Sequence, residues 1–459
     1  MADAGRTARS ASAALAEFSA GTLGRYIPET VSALMRQCLL DFLGNTAFAA
    51  VHADSTEAVR RGLLEFAGDA QGKITVVGET KTRPAGLAVL LNGTYAHSMD
   101  FDDTNFFGKL HPGVTVIPAA LAVAEETHAT GRALMEAIAI GYEIACRVGG
   151  SLGEATYARG FHPTPIGGLF GAVAAASRLL TLDGKTIDAA FGLAGSRASG
   201  SMQYMENGAW NKRLHSGFAA HDALMVTRLA KAGVTGAAQA LEGRAGVLQG
   251  YSPEPDATKL TAKLGTYWAA AKTAIKPFPN CRLNHSAIEA AIEMRKRLAP
   301  VQQGRYEVRL DPTSYRLVGE DVPAKRAPQN IVDGQFSVYF QVAAALSTGR
   351  SDWGSYALLG DAEVEKLARR ISAVCDDGLK AGHTILSGRL GDRSETIEIA
   401  EPMGEPGRPL GWDGVLAKFM GLAGPALGVD QATALAESVA DIAEADDVAQ
   451  VMALARRSA

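Results

Sequence analysis

Residues 168–180, GLFGAVAAASRLL, decide the fold class of this chain. Apolar side chains continue nearly all the way round a helix drawn through them, and alanine and glycine are frequent among them. A helix that is apolar on every side is typical of the interior of a large bundle, where small residues let neighbouring helices come close. The stretch therefore predicts a domain of closely packed helices.

The same pattern extends from this stretch in both directions. Apolar residues at three- and four-residue intervals predict further helices, and glycine or proline stands at their joins. The predicted helices span residues 31–42 behind Pro28, 86–99, 118–128, 133–148, 187–194 and 218–232. The first part of the chain is therefore predicted to be helical.

The pattern changes near residue 271. Residues 306–310, YEVRL, alternate polar and apolar side chains as a half-buried strand does, and residues 314–318 are expected to pair with them. Gly391-Asp392 is a turn signal between two further candidate strands. Those strands are predicted at 383–389 and 396–400, with helices at 335–347, 362–372, 412–422 and 431–456.

Together these patterns predict a mainly α protein with a large all-helical domain and a smaller α/β domain. Residues 1–271 and 406–459, from both ends of the chain, would form the helical domain. Residues 272–405 would form the α/β domain inserted between them. A chain of 459 residues is long enough for two or three such cores.

Composition excludes several classes of protein. The net charge of −4 gives no reason to expect a nucleic-acid partner. No run of about 18 apolar residues predicts a membrane span, and residues 1–23 lack the apolar core of a signal peptide, so we expect a cytoplasmic protein. The four cysteines are widely spaced without a C-x-x-C pair, which argues against a disulfide framework, a zinc site or an iron–sulfur cluster.

The strongest cluster of polar residues is NGTYAHSMDFDDTNFFGKLHPG, residues 92–113. Helical spacing would place four of its side chains on one face: His97, Asp100, Asp103 and Thr104. His111 follows after a short loop. Singly, these residues also fit a solvated helix end and a core histidine. As a set in apolar surroundings they predict a site, because burying so many polar groups is costly.

Three more segments carry candidate groups. His162, in RGFHPTPIGG, precedes a helix whose N-terminus could receive a carboxylate, although a structural loop histidine fits equally well. WNKRLHSG supplies Lys212, Arg213 and His215, and an exposed basic loop is the alternative. KPFPNCRLNH supplies Lys276, Arg282 and His285 beside Cys281, which we interpret as a packed thiol rather than a nucleophile.

Taken together, the ordered segments AHSMDFDDT with HPG, GFHPT, NKRLHSG, KPFPNCRLNH and PQNIVDGQFSVYFQVAAAL resemble the MmgE/PrpD family. This family includes 2-methylcitrate dehydratases, cis-aconitate decarboxylases and iminodisuccinate epimerases. The resemblance implies a lid-like α/β domain, a site between the domains, a homodimer, and no metal or organic cofactor. It maps six residues onto family active-site positions: Asp100, Thr104, His111, His162, Lys212 and Lys276.

We therefore predict a cofactor-independent lyase for a small di- or tricarboxylate, in the first place a dehydratase of a citrate-like hydroxy acid. A cis-aconitate-type decarboxylase, an iminodisuccinate-type epimerase and a non-catalytic member of the family are the alternatives. Lys212 and Lys276 would clamp carboxylates, His111 and His162 would carry protons, and Asp100 would orient a histidine or act as a base. Further contacts with substrate are predicted for Thr104, His97, Arg213, His215, Arg282 and His285.

Overall fold

A computed structural model describes residues 10–458 of the chain. The expected absence of a signal peptide therefore falls partly outside the described residues, as do both outermost ends of the predicted helical domain. Within 10–458 the fold is mainly helical with a smaller α/β part, which confirms the predicted fold class. No helix in this range is both long and apolar enough to cross a lipid bilayer.

Helices make up most of the described chain. The first twelve are α1 (Ala11–Gly21), α2 (Glu29–His52), α3 (Thr56–Ala67), α4 (Ala85–His97), α5 (Gly113–Thr127), α6 (Gly131–Leu152), α7 (Ala155–Ala158), α8 (Pro163–Leu179), α9 (Gly184–Ala194), α10 (Asn211–Lys231), α11 (Val247–Tyr251) and α12 (Thr258–Thr261). The middle of the chain contains α13 (His285–Arg297), α14 (Pro312–Ser314), α15 (Pro323–Arg326), α16 (Ile331–Gln335), α17 (Val338–Thr348) and α18 (Ala362–Ala368). The last three are α19 (Gly411–Leu427), α20 (Val429–Ala440) and α21 (Val448–Ala453).

The stretch that decided the fold class forms most of α8, at the centre of the helical part. Its neighbour α6 comes close because glycines face each other across the contact. A Cβ added to Gly171 would lie 2.4 Å from the carbonyl oxygen of Gly141, and one added to Gly141 would lie 2.8 Å from that of Gly171. Side chains at these positions would push the two helices apart.

Two separate hydrophobic cores organise the chain. One draws on residues 15–275 and 415–455, so both ends of the chain contribute to it. The other draws on residues 283–397. The boundaries at 271/272 and 405/406 stay predictions.

Six strands accompany the helices within residues 10–458: β1 (Thr104–Asn105), β2 (Thr273–Ala274), β3 (Arg305–Leu310), β4 (Ile371–Cys375), β5 (Thr384–Leu390) and β6 (Arg393–Ile399). The last four form one sheet in the order β4-β3-β5-β6, in which only the β3–β4 pair is parallel. β3 alternates exposed and buried residues as its sequence predicted, with Tyr306, Val308 and Leu310 inside. β1 pairs with β2, which brings the polar cluster at 92–113 next to the segment that begins at Lys276.

The smaller domain differs from prediction in two segments. Residues 314–318, expected to be a strand, end α14 and continue as a π-helical turn, Tyr315–Gly319. The Asp311 carboxylate accepts hydrogen bonds from the first backbone N–H groups of this segment and so starts a helical turn. The predicted helix at 362–372 ends at Ala368, because Ile371–Cys375 is drawn into the sheet beside β3.

The end of the chain is also more broken than predicted. Residues 431–456 form parts of two helices, α20 and α21, instead of one. Asp447 begins the second of them by accepting a hydrogen bond from the backbone N–H of Ala449. An aspartate in this position is a common helix start, and the alanine-rich pattern concealed it.

Candidate active site

The polar cluster at 92–113 does not form one helical face, so that prediction is wrong. α4 ends at His97, and Asp100 adopts a left-handed backbone conformation with φ 52°. Non-glycine residues rarely do so unless their surroundings hold them there. Here the Lys276 ammonium donates to the carbonyl oxygen of Asp100 at 2.8 Å and to its Oδ1 atom at 2.6 Å.

A cavity opens beside this turn, with an empty volume of about 850 Å³ including the part open to solvent. The structure brings seven of the eleven predicted site residues to its wall: Asp100, Thr104, His111, His162, Lys212, Lys276 and Arg282. These seven come from segments that are far apart in the chain.

We divide the charged and imidazole side chains of the wall by their exposure. The floor consists of the five that are buried or nearly so: Asp100, His111, His162, Lys212 and Lys276. The rim consists of four that are half-buried or exposed: Lys109, Glu154, Arg282 and Arg316.

Asp100 is the electrostatic centre of the floor. Its Oδ1 atom lies 2.6 Å from the Lys276 ammonium and its Oδ2 atom 2.7 Å from the Lys212 ammonium. Burial alone would raise the pKa of Asp100, but the two lysines outweigh burial and hold the pKa well below its usual value. Asp100 is therefore a fixed anion, and the raised pKa that it would need to act as a base is not found.

A second carboxylate, Asp102, supports His111. The Nδ1 atom of His111 lies 2.8 Å from Asp102 Oδ2, and the Nδ1 atom of His97 lies 3.0 Å from Oδ1. Because an ionised carboxylate only accepts hydrogen bonds, both Nδ1 atoms carry a proton, and in the neutral His111 ring the lone pair is then on Nε2. Burial lowers the pKa of His111 to about 4, although the Asp102 carboxylate opposes that change.

His162 lies where the chain enters α8. Its Nδ1 atom is 3.2 Å from Nδ1 of His215, which stands behind it. Burial, followed by the neighbouring His215, lowers the pKa of His162 well below its ordinary value. The expected anion-binding helix terminus is weakened, because Pro163 and Pro165 in its first turn have no N–H to donate.

Four predicted substrate contacts do not reach the cavity wall: His97, Arg213, His215 and His285. His97 and His215 lie behind His111 and His162 respectively. The Arg213 guanidinium is paired with Asp54, and its charge is satisfied there. His285 begins α13 and packs its ring edge-on against Phe278. These residues support the site from outside it.

Sequence reasoning missed two charged groups at the site. Asp102 was not singled out among the candidate residues, yet it is buried and bonded to two histidines. Its distances of five and nine residues from those histidines follow no helical period, so no spacing rule could identify it. Arg316 lines the cavity from a segment predicted to be a strand. Cys281 also lines it, and burial raises the pKa of this thiol, as expected for a packed cysteine.

The C-terminal helix α19 supports the floor through Lys418. Its ammonium donates to the carbonyl oxygens of Phe101 at 2.6 Å and Lys276 at 3.0 Å, and lies 2.6 Å from Asp41 Oδ1. One side chain thus ties together the turn after α4 and the segment after β2. Both ends of the chain are therefore needed to build the site.

Two groups of side chains could hold a metal ion. The ligand atoms of His97, His111 and His162 lie within 4.8 Å of one another, as do those of His97, Asp100, Asp102 and His111. Nearby ammonium groups would repel a dication there, since His111 lies in the field of Lys276 and His162 lies in that of Lys212. Cofactor independence stays a prediction.

Comparison with protein families gives two matches that together span most of the chain. Residues 13–260 match the MmgE/PrpD N-terminal domain. Residues 278–444 match the MmgE/PrpD C-terminal domain.

Similar curated proteins are named as cis-aconitate decarboxylases. The cis-aconitate decarboxylase-like protein oryM of Aspergillus oryzae is 25% identical over 458 residues, which cover 93% of each chain. The cis-aconitate decarboxylase of Aspergillus terreus is 25% identical over 428 residues, 87% of this chain and 86% of that protein. The cis-aconitate decarboxylase of Homo sapiens is 32% identical over 253 residues, 52% of this chain and 50% of that protein. The two matched domains confirm the resemblance seen in the motifs: this chain belongs to the MmgE/PrpD family.

Proposed function

We propose that this chain is a lyase that decarboxylates a cis-aconitate-like tricarboxylic acid. The observation that carries the proposal is the pairing of Lys212 and Lys276 on Asp100, beside the imidazoles of His111 and His162, in one cavity. Such a set can bind a polycarboxylate and move a proton to or from a neighbouring carbon. The names of the curated relatives favour decarboxylation among the reactions of the family.

The charge of the cavity suits a polyanion. Within residues 10–458, five cationic side chains line it, against two carboxylates, Asp100 and Glu154. The imidazoles of His111 and His162, whose pKa values are lowered by burial, add no positive charge near neutral pH. The surplus of positive charge attracts di- and tricarboxylates and opposes the binding of cations.

The two floor lysines keep donors for the substrate. An ammonium has three N–H groups, and Lys276 uses two of them on Asp100. Lys212 lies 2.7 Å from Asp100 Oδ2 as an ion pair. Substrate carboxylates can therefore join this network without displacing Asp100, and they bring negative charge next to the histidines.

His111 is the proton carrier in this mechanism. Asp102 holds its Nδ1–H, so the Nε2 lone pair is the free proton site. A bound polyanion raises the pKa of both floor histidines, because it favours the charged imidazole. The protein therefore takes up a proton with the substrate, and the imidazolium then holds that proton beside the reacting carbon.

Decarboxylation then balances as follows. The bond between the carbon and one carboxylate breaks, carbon dioxide leaves, and its electron pair remains on the carbon. The floor lysines stabilise the negative charge that this pair spreads onto a neighbouring carboxylate. The imidazolium returns its proton to the carbon, so that one proton is consumed for each carbon dioxide released.

Dehydration of a citrate-like hydroxy acid is the second candidate, and one observation favours it. The Thr104 hydroxyl lines the cavity and is buried without a hydrogen-bond partner among the described residues. A buried hydroxyl without a partner is costly unless a ligand supplies one. The hydroxyl that distinguishes a citrate-like acid from cis-aconitate would satisfy it.

The test is an assay of the purified protein with cis-aconitate, citrate and 2-methylcitrate. We expect carbon dioxide to be released from cis-aconitate, and the Lys276→Met variant to release it about 1,000-fold less efficiently. A new double bond formed from a hydroxy acid, seen by ultraviolet absorbance, would instead identify a dehydratase.

Two other outcomes would replace the proposal. Exchange of a carbon-bound hydrogen with deuterated solvent in iminodisuccinate, without net loss of carbon dioxide or water, would indicate an epimerase. Binding of a tricarboxylate with no turnover of any acid would indicate a non-catalytic protein. The homodimer and the cytoplasmic location stay proposals that size-exclusion chromatography and cell fractionation can test.

A further inference from the structure

Arg316 is a rim residue to which the proposed mechanism gives no role. We propose that its guanidinium binds the third carboxylate of the substrate, the one that a dicarboxylate of equal chain length lacks, so that the smaller domain selects tricarboxylic acids. This inference rests on the proposed function and specifies its substrate class.

Arg316 is the cation of the cavity wall that has no partner among residues 10–458. Every other cation of the cavity wall has a carboxylate: Lys212 and Lys276 share Asp100, Lys109 pairs with Glu154, and Arg282 pairs with Glu405. Within residues 10–458 the Arg316 side chain forms no ion pair, no hydrogen bond and no stacking contact. Its charge is therefore available to a ligand that enters the cavity.

The backbone around Arg316 is firmly held. Asp311 starts the turn, with its Oδ1 atom accepting from the backbone N–H of Thr313 at 3.0 Å. The Lys325 ammonium donates to the carbonyl oxygen of Arg316 at 2.9 Å, and the Tyr339 hydroxyl donates to that of Gly319 at 2.6 Å. Irregular π-helical turns of this kind are frequent at functional sites.

A guanidinium presents parallel N–H groups that match the two oxygens of a carboxylate, and it forms a stronger pair than a single ammonium donor can. Thr313 and Leu317, from the same turn, line the cavity beside Arg316, so the turn presents a polar and an apolar contact together with the charge. The floor belongs largely to the helical part of the chain, whereas Arg316 belongs to the smaller domain. A substrate held by both would bridge the two.

The experiment compares two acids that the enzyme has no means to decarboxylate or dehydrate by the proposed route. Propane-1,2,3-tricarboxylate and glutarate share their two terminal carboxylates, and only the first has a third. We expect calorimetric titration of the full chain at neutral pH to show that Arg316→Gln lowers the affinity for the tricarboxylate by about 10- to 100-fold. The affinity for glutarate should be unchanged. The affinity of Arg316→Lys for the tricarboxylate should lie between those of Arg316→Gln and the wild type, because an ammonium lacks the paired N–H groups of a guanidinium.

Arg305→Gln is the matched control, because Arg305 is also an exposed arginine of the smaller domain and lies outside the cavity. It should bind both acids as the wild type does. Equal binding by wild type and Arg316→Gln, or an equal loss for both acids, would overturn the inference. Lys276→Met distinguishes failure of this inference from failure of the proposed function, because it should weaken the binding of both acids. If the wild type binds neither acid, the proposed function itself fails.

Discussion

The floor and the rim of the cavity use the same kinds of ion pair in different surroundings. The Lys276 side chain is 2% exposed and its partner Asp100 is 3% exposed, whereas Glu154, which pairs with Lys109 at the rim, is 61% exposed. Breaking a buried pair leaves an uncompensated charge in a poorly solvated place, but exposed pairs contribute little and exchange easily with water. The floor is therefore suited to holding catalytic groups in place, and the rim is suited to selecting the ligand.

The largest difference in activity between floor and rim variants is expected for their lysines. Lys276→Met should lower kcat/KM by about 1,000-fold, because it removes a preorganised donor from the charge that develops in the transition state. Lys109→Met should lower it by less than about fivefold, since the exposed pair is worth little. Steady-state rates of carbon dioxide release from cis-aconitate measure both.

A fall in activity from simple misfolding must be separated from this effect. Lys276→Met leaves Asp100 with Lys212 as its one ammonium, so thermal unfolding of the variant should be measured beside its rates. Asp100 keeps Lys212 as its partner in this variant, so a small change in unfolding temperature beside a large loss of rate would assign the effect to the missing ammonium. Similar rates for the two lysine variants would show that floor and rim do not differ in the way that we propose.

The next effect concerns the proton carrier. His111→Ala should reduce turnover by about 100-fold or more, because general acid–base catalysis by a positioned imidazole contributes at least that much. It should also reduce the proton uptake that accompanies binding of propane-1,2,3-tricarboxylate. Calorimetry in two buffers of different ionisation enthalpy measures that uptake, and a variant with wild-type rate would remove His111 from the mechanism.

Asp102 supports the floor without reaching the cavity, so a smaller effect is expected. Asp102→Asn should lower kcat by about 10- to 100-fold and leave KM nearly unchanged, as for other carboxylates that orient a functional histidine. Because the Asp102 carboxylate raises the pKa of His111, whose protonated form delivers the proton, its loss should move the alkaline limb of the pH–rate profile to lower pH. A purely structural role would reduce the amount of folded protein but leave the profile in place.

The sequence predicted the floor better than the elements that carry it. Asp100, His111, His162, Lys212 and Lys276 were recognised from local motifs, and they meet in one cavity. The helical face proposed for His97 to Thr104 was wrong, because the left-handed turn at Asp100 is held by Lys276, 176 residues further along the chain. A tertiary contact of that kind leaves no periodic signal near Asp100.

The rim and the supporting residues were harder to predict for the same reason. Arg316 lies in a segment whose alternation suggested a strand, and its helical start depends on a cap from Asp311. Arg213 looked like a carboxylate donor beside Lys212, but the two neighbours on α10 point to different partners, Asp100 and Asp54. The direction of a side chain is set by packing between helices, which a motif does not contain.

The smallest expected effect concerns stability and lies behind the floor. Burial lowers the pKa of His215 from its ordinary value of 6.5 to about 4 in the folded protein. The unfolded chain then binds more protons than the folded chain between these pH values, so this histidine costs stability as the pH falls from about 6.5 to 4. His215→Gln removes that cost and should therefore gain stability relative to the wild type on acidification. The gain should be on the order of 1 kcal/mol between pH 7.5 and pH 5.

Denaturant unfolding of both proteins at the two pH values measures this difference directly. Buried carboxyl groups with raised pKa values, such as Asp103 and Glu125, titrate over the same range, but they are common to both proteins and cancel in the comparison. Parallel stability curves for the two proteins would show that His215 is solvated in the folded state. The buried side chains behind the floor would then end at His162, although His162 contacts His215.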